Sequence, residues 1–325
     1  MNSGYNLHME AFISTYSQPS LLAKTAKPFL KWAGGKGQLI DKLVSLFPEG
    51  LLTGEINKYA EPFIGGGALF FYIAQHYPSI ETYFISDVNQ ELVLAYKTIR
   101  ENVEGLISVL ASLEKDYHAL SKVEQKTFFY QIRQAFNSQL WSINPNIYQN
   151  NWIERVAMLI FLNRTCFNGL FRVNSRGEFN VPFGDYKNPS ICDAENLRSI
   201  SNILQRTSIE FGDFTISRKF VDERTFVYFD PPYRPISNTA SFTSYSKFDF
   251  GDDSQKRLAE YFHLLSVAGA KLMLSNSDPK NENPDDDFFE TLYRPYRIER
   301  VEAYRMINCD SSKRGKIKEL VILNY

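Results

Sequence analysis

The run Val227-Tyr228-Phe229-Asp230-Pro231-Pro232-Tyr233 sets an acid, two prolines and an aromatic ring directly after an apolar strand-like stretch. Strand ends of a parallel sheet are where α/β folds place ligands. Both prolines have a fixed φ and no N–H, so the loop is a stiff array of acceptors beside a flat ring. That inventory suits alkylation of an exocyclic amino nitrogen. The lone pair of such a nitrogen is delocalised into its base, which makes it a poor nucleophile. Two acceptors on its two hydrogens, the Asp230 carboxylate and the Pro231 carbonyl, would localise the lone pair. Tyr233 would stack on the base and fix its plane. A preorganised carboxylate then stabilises the charge that grows on nitrogen as it attacks a methyl sulfonium. The plain alternative is a Pro-Pro turn that ends a strand. Aromatic residues on both sides and the strand before it favour chemistry.

Three further segments could hold the methyl donor. In Ala60-Glu61-Pro62-Phe63-Ile64-Gly65-Gly66-Gly67-Ala68, glycines after a strand let backbone approach a ligand closely. The pattern is not GxGxxG, which argues against a dinucleotide. Asp87, at the end of Ile85-Ser86-Asp87, could accept from both ribose hydroxyls, or simply cap the next helix. In Phe29-Leu30-Lys31-Trp32-Ala33-Gly34-Gly35-Lys36, a helix start with Lys36 beside it could face a carboxylate, while Trp32 could be core. In Gly212-Asp213-Phe214 the acid could accept from an adenine amino group with the ring packed on it, or the segment could be a turn.

The elements around these segments read as an α/β grammar with an interruption. A helix over 37–47, a strand over 59–63, a helix over 68–74, a strand over 82–86 and a helix over 91–100 follow β-glycine loop-α-β-acid-α order. Only helical spacing appears from 101 to 162 (105–120, 124–140, 152–162), then a loop-like stretch over 163–190. Residues 101–190 therefore read as an inserted module. Strands at 208–211, 226–229 and 271–275, a helix at 254–267 and a closing antiparallel pair at 297–304 and 320–325 restore the α/β pattern. Residues 281–287 read as an acidic surface loop, and residues 1–27 as an N-terminal extension.

The chain has 325 residues, enough for one large α/β domain with an insert. With 44% hydrophobic residues it can bury a real core. Net charge is −1, so overall charge does not announce a nucleic-acid binder. Any such surface must come from local clusters: Lys24, Lys27, Lys31 and Lys36; Arg164, Arg172 and Arg176; Lys313, Arg314, Lys316 and Lys318. Cys166, Cys192 and Cys309 are odd in number and widely spaced, which excludes a zinc pattern and a disulfide framework. Residues 1–20 lack the apolar stretch of a signal peptide, and no segment reaches transmembrane length. The expectation is a cytoplasmic protein with no membrane partner.

FLKWAGGK, EPFIGGGALFF, ISDVN, FDPPY and the stretch NRTCFNGLFRVNSRGEFNVPFG (163–184), in this order, resemble the DNA adenine methyltransferases of the Dam type, the alpha-group amino-methyltransferases. LSNSD, which contains Asn276, matches a later strand of that family, and the resemblance runs from Pro28 to Tyr325. It implies a mostly parallel seven-stranded, Rossmann-like S-adenosylmethionine-dependent methyltransferase sheet. Residues 28–100 and 191–325 would be its two parts, and 101–190 a mainly helical target-recognition domain. It implies transfer of a methyl group from S-adenosylmethionine, without metal, to adenine N6 in duplex DNA, with the base flipped out of the stack. Asp230, Pro231 and Tyr233 would be catalytic. Trp32, Lys36, Phe63, Gly65, Gly67, Asp87, Asp213, Phe214 and Asp230 would surround the cofactor.

In GATC-reading members a lysine beside the first motif's tryptophan contacts a guanine, and Lys31 holds that place. By the same resemblance Phe167 would insert into the stack, a tyrosine being usual there. Asn168 and Leu170 would meet base edges, Arg172 a guanine, and Pro182 a base. Asn174 and Arg176, on the same hairpin, join the DNA-facing set. The expectation is GATC, in a solitary methylase or one paired with a cognate restriction endonuclease. Related loops serve RNA adenine, cytosine-N4 and protein glutamine methylation. Asp at position 230 favours adenine, and the Arg-rich hairpin favours duplex DNA. A DNA-binding protein that has lost catalysis is a different reading, opposed by intact Asp230, Tyr233, Lys36 and Asp87.

Overall fold

The computed structural model describes residues 25–37, 39–140, 149, 151–234, 250–304 and 316–325. Most of the N-terminal extension, with Lys24, and Cys309, Lys313 and Arg314 lie outside that set. A seven-stranded sheet has the order β3-β2-β1-β4-β5-β7-β6. Its strands are β1 (Lys58–Glu61), β2 (Thr82–Asp87), β3 (Thr207–Phe211), β4 (Thr225–Phe229), β5 (Lys271–Ser277), β6 (Arg297–Tyr304) and β7 (Lys316–Leu323). The first five run parallel, and β7 runs antiparallel to both β5 and β6. The sheet is therefore mixed, with the antiparallel pair at one edge as expected. Every residue of β4 is buried. An unbroken apolar run such as TFVYF fits a strand covered on both faces.

The strand order reverses between β1 and β4. In open α/β sheets this switch point opens a crevice at the carboxyl ends of the strands. Glu61 ends β1, Asp87 ends β2 and Asp230 follows β4. Three acids separated widely in sequence thus line one edge of the sheet.

The helices in order are α1 (Ile40–Val44), α2 (Gly50–Thr53), α3 (Ala68–His76), α4 (Gln90–Ala119), α5 (Lys122–Ser138), α6 (Trp152–Thr165), α7 (Ala194–Leu204), α8 (Asp252–Val267) and α9 (Phe288–Leu292). The spacing predicts two helices with a break after residue 100, and α4 is two helical stretches joined across a kink at Asn102. Asn102 has φ −150° and ψ 65°, and its Oδ1 accepts from Gly105 N at 3.0 Å. One side chain replaces the lost helical bond, so the chain bends without a loop. Helix α1 is shorter than the stretch 37–47 predicted. Helix α7 was not expected, although an Asp193 cap and buried Leu197, Ile200 and Leu204 at helical spacing signal it. Of the acidic loop, 281–285 are exposed, but Asp286 turns inward to pair with Arg234 at 2.7 Å.

Candidate active site

Asp230 leaves β4 into a site it shares with three other chain segments. Lys36 Nζ, in the loop before α1, lies 2.9 Å from Asp230 Oδ1. Lys36 is only 5% exposed, so its charge is committed to this cluster. Its Nζ also donates to the Tyr233 hydroxyl at 2.5 Å and lies 3.7 Å from Glu319 Oε2. Tyr233 in turn donates to Glu319 Oε2 at 2.5 Å. Burial raises Asp230 to about 6, against the opposing pull of Lys36 and with the negative charge of Glu319 adding to the rise. Among the described residues no donor reaches Asp230 Oδ2 or the Pro231 carbonyl.

The loop after Asp230 is held from below by buried amides. Gln255 Nε2, on α8, donates to the Pro232 carbonyl at 3.2 Å. Asn276 Nδ2, on β5, donates to Gln255 Oε1 at 3.2 Å, and Asn276 Oδ1 accepts from Arg234 N at 3.3 Å. Both side chains are fully buried. Arg234 then pairs with Asp252 at 2.7 Å, at the start of α8. Proline stiffness thus has an external frame, and neither Gln255 nor this role of Asn276 was visible in the motif.

At the neighbouring strand ends Asp87 Oδ2 accepts from Gly65 N at 3.1 Å and Oδ1 from Asn89 N at 2.8 Å. Burial raises Asp87 to about 6. Each of its oxygens keeps a further lone pair. Gly67 must be glycine: its φ is +72°, and a Cβ there would sit 2.6 Å from the Tyr96 hydroxyl. Trp32 lies against Gly65 and stacks on Phe171 with centroids 5.2 Å apart. Phe63 packs on Phe214 at 5.5 Å. Asp213 spends Oδ1 on Thr215 N at 3.1 Å and Oδ2 on Arg257 at 2.5 Å, the turn geometry that was its plain alternative. Sequence reasoning passed over Glu61. It is 3% exposed, accepts from Tyr59 at 2.6 Å, and burial raises it to about 8.

The expected DNA-reading residues gather around one buried amide. Asn163 Oδ1 accepts from Lys31 N at 2.8 Å, and its Nδ2 donates to the carbonyls of Lys31 and Gly169, both at 2.9 Å. The Lys31 side chain runs across Gly169, where a Cβ would collide with it. Lys31 Nζ ends 5.2 Å from the Tyr186 ring centre. In the turn that follows, the Phe167 ring is 52% exposed. Asn168 is exposed at φ +57°, Leu170 is half-buried, and Arg172 and Pro182 are exposed. Phe167 N donates to the Pro182 carbonyl at 2.9 Å, so these two sit together. Arg172 Nε donates to Asn180 Oδ1 at 2.8 Å. Asn174 serves the hairpin turn itself, accepting from Arg176 N and Glu178 N, and Arg176 pairs with Glu178 at 2.8 Å. Among the described residues no group of three or more His, Cys, Asp or Glu is arranged to hold a metal, and no helix is long and apolar enough to cross a membrane.

Residues 32–307 match the family described as D12 class N6 adenine-specific DNA methyltransferase. The type II methyltransferase M.MjaIII of Methanocaldococcus jannaschii is 48% identical over 92% of this chain and 99% of its own length. The type II methyltransferase M1.LlaDCHI of Lactococcus lactis subsp. cremoris is 38% identical over 92% of this chain and 95% of its own. The DNA adenine methylase of Escherichia coli (strain K12) is 30% identical over 92% and 96%.

Proposed function

This chain belongs to the D12 class N6 adenine-specific DNA methyltransferase family, and we propose that it methylates the adenine of GATC in duplex DNA, with the base turned out of the stack into the pocket of Asp230, Pro231 and Tyr233. The family makes it an adenine-specific DNA methyltransferase whose substrate is DNA and whose methyl donor is S-adenosylmethionine.

The residues present suit that donor. Asp87 has lone pairs to spare for a ribose diol. Glu61 and Asp230 are anionic or ionisable groups beside the place for a sulfonium and an ammonium, and Lys36 borders that place while its ammonium stays with Asp230, Tyr233 and Glu319. Trp32, Phe63, Gly65, Gly67, Asp213 and Phe214 complete the proposed cofactor surroundings. When bound, S-adenosylmethionine supplies the electrophilic methyl group. The chain's own work is to bind and polarise the amine. Asp230 Oδ2 and the Pro231 carbonyl accept its two hydrogens, Tyr233 holds the base plane, and Lys36 keeps Asp230 ionised.

The observation that carries this reading is the pairing of a rigidly framed acceptor loop with a buried lysine on its acid. The sequence choice rests on Lys31 and the 167–172 turn sharing the Asn163 clamp. On this reading residues 101–190 form the target-recognition domain, with Lys31, Phe167, Asn168, Leu170, Arg172 and Pro182 at the bases and Asn174 and Arg176 on the supporting hairpin. The type II naming of two relatives supports a partnership with a cognate restriction endonuclease, and we place the protein in the cytoplasm.

Labelled S-adenosylmethionine with two duplexes, one carrying GATC and one with the site scrambled, tests this. Label recovered as N6-methyladenine from the GATC duplex alone is expected. Equal label in both would overturn the sequence reading at Lys31 and Arg172. Genes adjoining this one decide between a solitary methylase and a restriction pair.

A further inference from the structure

Glu319 lies far from every motif, on β7, opposite Ser277 of β5 and Val301 of β6. It is 9% exposed, an uncommon place for a carboxylate without a task. Its Oε2 accepts from the Tyr233 hydroxyl at 2.5 Å and stands 3.7 Å from Lys36 Nζ. Lys36 donates to the same hydroxyl, so Tyr233 accepts from one side and gives its only proton to the other. That fixes the phenol and, through it, the ring. Two carboxylates, the half-buried Asp230 and the buried Glu319, share one ammonium.

We propose that Glu319 is a positioning residue of the methyl-transfer site: it locks the Tyr233 ring and holds Lys36 between two carboxylates, so that ring and ammonium keep their places while Asp230 engages the base amine. The inference rests on the proposed pocket of Asp230 and Tyr233. It also explains why the antiparallel edge matters to chemistry carried on the parallel strands. Because β7 reverses beside β5, its residue 319 reaches the carboxyl-end crevice that a parallel strand would enter only with its last residues.

The groups facing Asp230 are Lys36 from the loop before α1, Tyr59 and Glu61 from β1, Tyr228 from β4, Tyr233 from its own loop and Glu319 from β7. Glu319 adds a like charge, which raises the proton affinity of Asp230. Removing that charge leaves Lys36 to Asp230 alone and should lower it.

The test is steady-state methylation of a GATC duplex by wild type, E319Q, E319A, Y233F, the Y233F/E319Q double variant and D230N from pH 5 to 9. E319A should lower kcat tenfold or more, with KM for DNA and for S-adenosylmethionine changed less than about threefold. E319Q keeps shape and a hydroxyl acceptor. It should retain more turnover, and the acid limb of its kcat/KM should move to lower pH. E319Q should cost less in the Y233F background than in wild type. A wild-type acid limb in E319Q, with full kcat in E319A, overturns the inference alone if D230N is inactive. Wild-type turnover by D230N overturns the pocket, and the inference with it. If E319A does not fold, the acid limb and double-variant comparison of E319Q still decide the matter.

Discussion

At the residue scale, Asp230 carries the sharpest expectation. Asp230→Ala should abolish methyl transfer almost completely while the circular dichroism spectrum and cofactor-free fold survive. The carboxylate is the only acid in the run 230–233, and removing it from water costs the fold free energy. Comparable turnover by purified mutant and wild type would remove Asp230 from the chemistry. The ionised form is the stronger acceptor and supplies the negative charge that the developing cation needs, so kcat/KM should fall as pH drops below about 6, where burial holds Asp230. A flat profile from pH 8 to 5 would contradict this.

The same burial makes a stability prediction. Asp87 and Asp230 are raised from 3.8 to about 6, and Glu61 from 4.5 to about 8. Between its unfolded and folded values each group binds more protons folded than unfolded, so stability rises as pH falls through that window. The cofactor-free protein should therefore melt at higher temperature at pH 6 than at pH 8. A higher Tm at pH 8 in scanning calorimetry would show that these acids are solvated or paired in solution.

At the scale of elements, Asn163 joins the end of α6 to the Lys31 loop and to the turn at Gly169. Truncation to alanine leaves three backbone groups without this partner, the Gly169 carbonyl buried and the Lys31 N–H and carbonyl part-buried, at a cost of about 2–4 kcal/mol. Loss of discrimination between GATC and single-substituted duplexes should accompany it, because Lys31 and the turn would no longer share one frame. Denaturant titration and paired-substrate kinetics measure the two effects, and full discrimination in a destabilised mutant would separate clamp from recognition. Arg172→Ala should relax the choice at one guanine by roughly 1–3 kcal/mol. Among the described residues its side chain makes one hydrogen bond, to Asn180 at the exposed surface, so folding should be spared.

Across the whole molecule, α6 is locked to the start of α4, just after β2, by Arg155 and Glu91. The guanidinium on α6 meets the carboxylate in the first turn of α4 at 2.7 and 3.0 Å and also donates to the Phe136 carbonyl of α5 at 2.8 Å. Arg155 is 1% exposed and Glu91 5%. Removing one partner leaves a buried charge, so Arg155→Met should destabilise by about 3–5 kcal/mol, and Glu91→Leu in the same chain should restore much of that. Equal urea midpoints for Arg155→Met and wild type would mean that the pair is dispensable. The link begins two residues beyond Asn89, whose backbone N–H binds Asp87. It therefore ties the insert to the strand end that carries the proposed ribose acid.

Local chemistry was legible in the chain because local physics writes it. The unbroken apolar run of β4, the Pro-Pro stiffness after Asp230, the glycine needed at position 67 and the helical spacing of the insert each follow from neighbouring residues alone. The break at Asn102 also follows from the spacing, and the helix at 194–204 was written there too, in a cap and a periodicity that sequence reasoning passed over. Glu61, Gln255, Glu319 and the clamp by Asn163 were not legible. Gln255, Glu319 and the hold of Asn163 on Lys31 act across long sequence separations, and Glu61, though bonded to Tyr59 two residues away, owes its burial to the packing around the strand. Residue types and spacing determined which groups could bind an amine, a ribose or a guanine. The tertiary structure decided which acids share a lysine and which amide frames the loop. It also decided that β7 runs backwards to bring Glu319 to Tyr233, since burial and proximity are properties of packing, not of sequence distance.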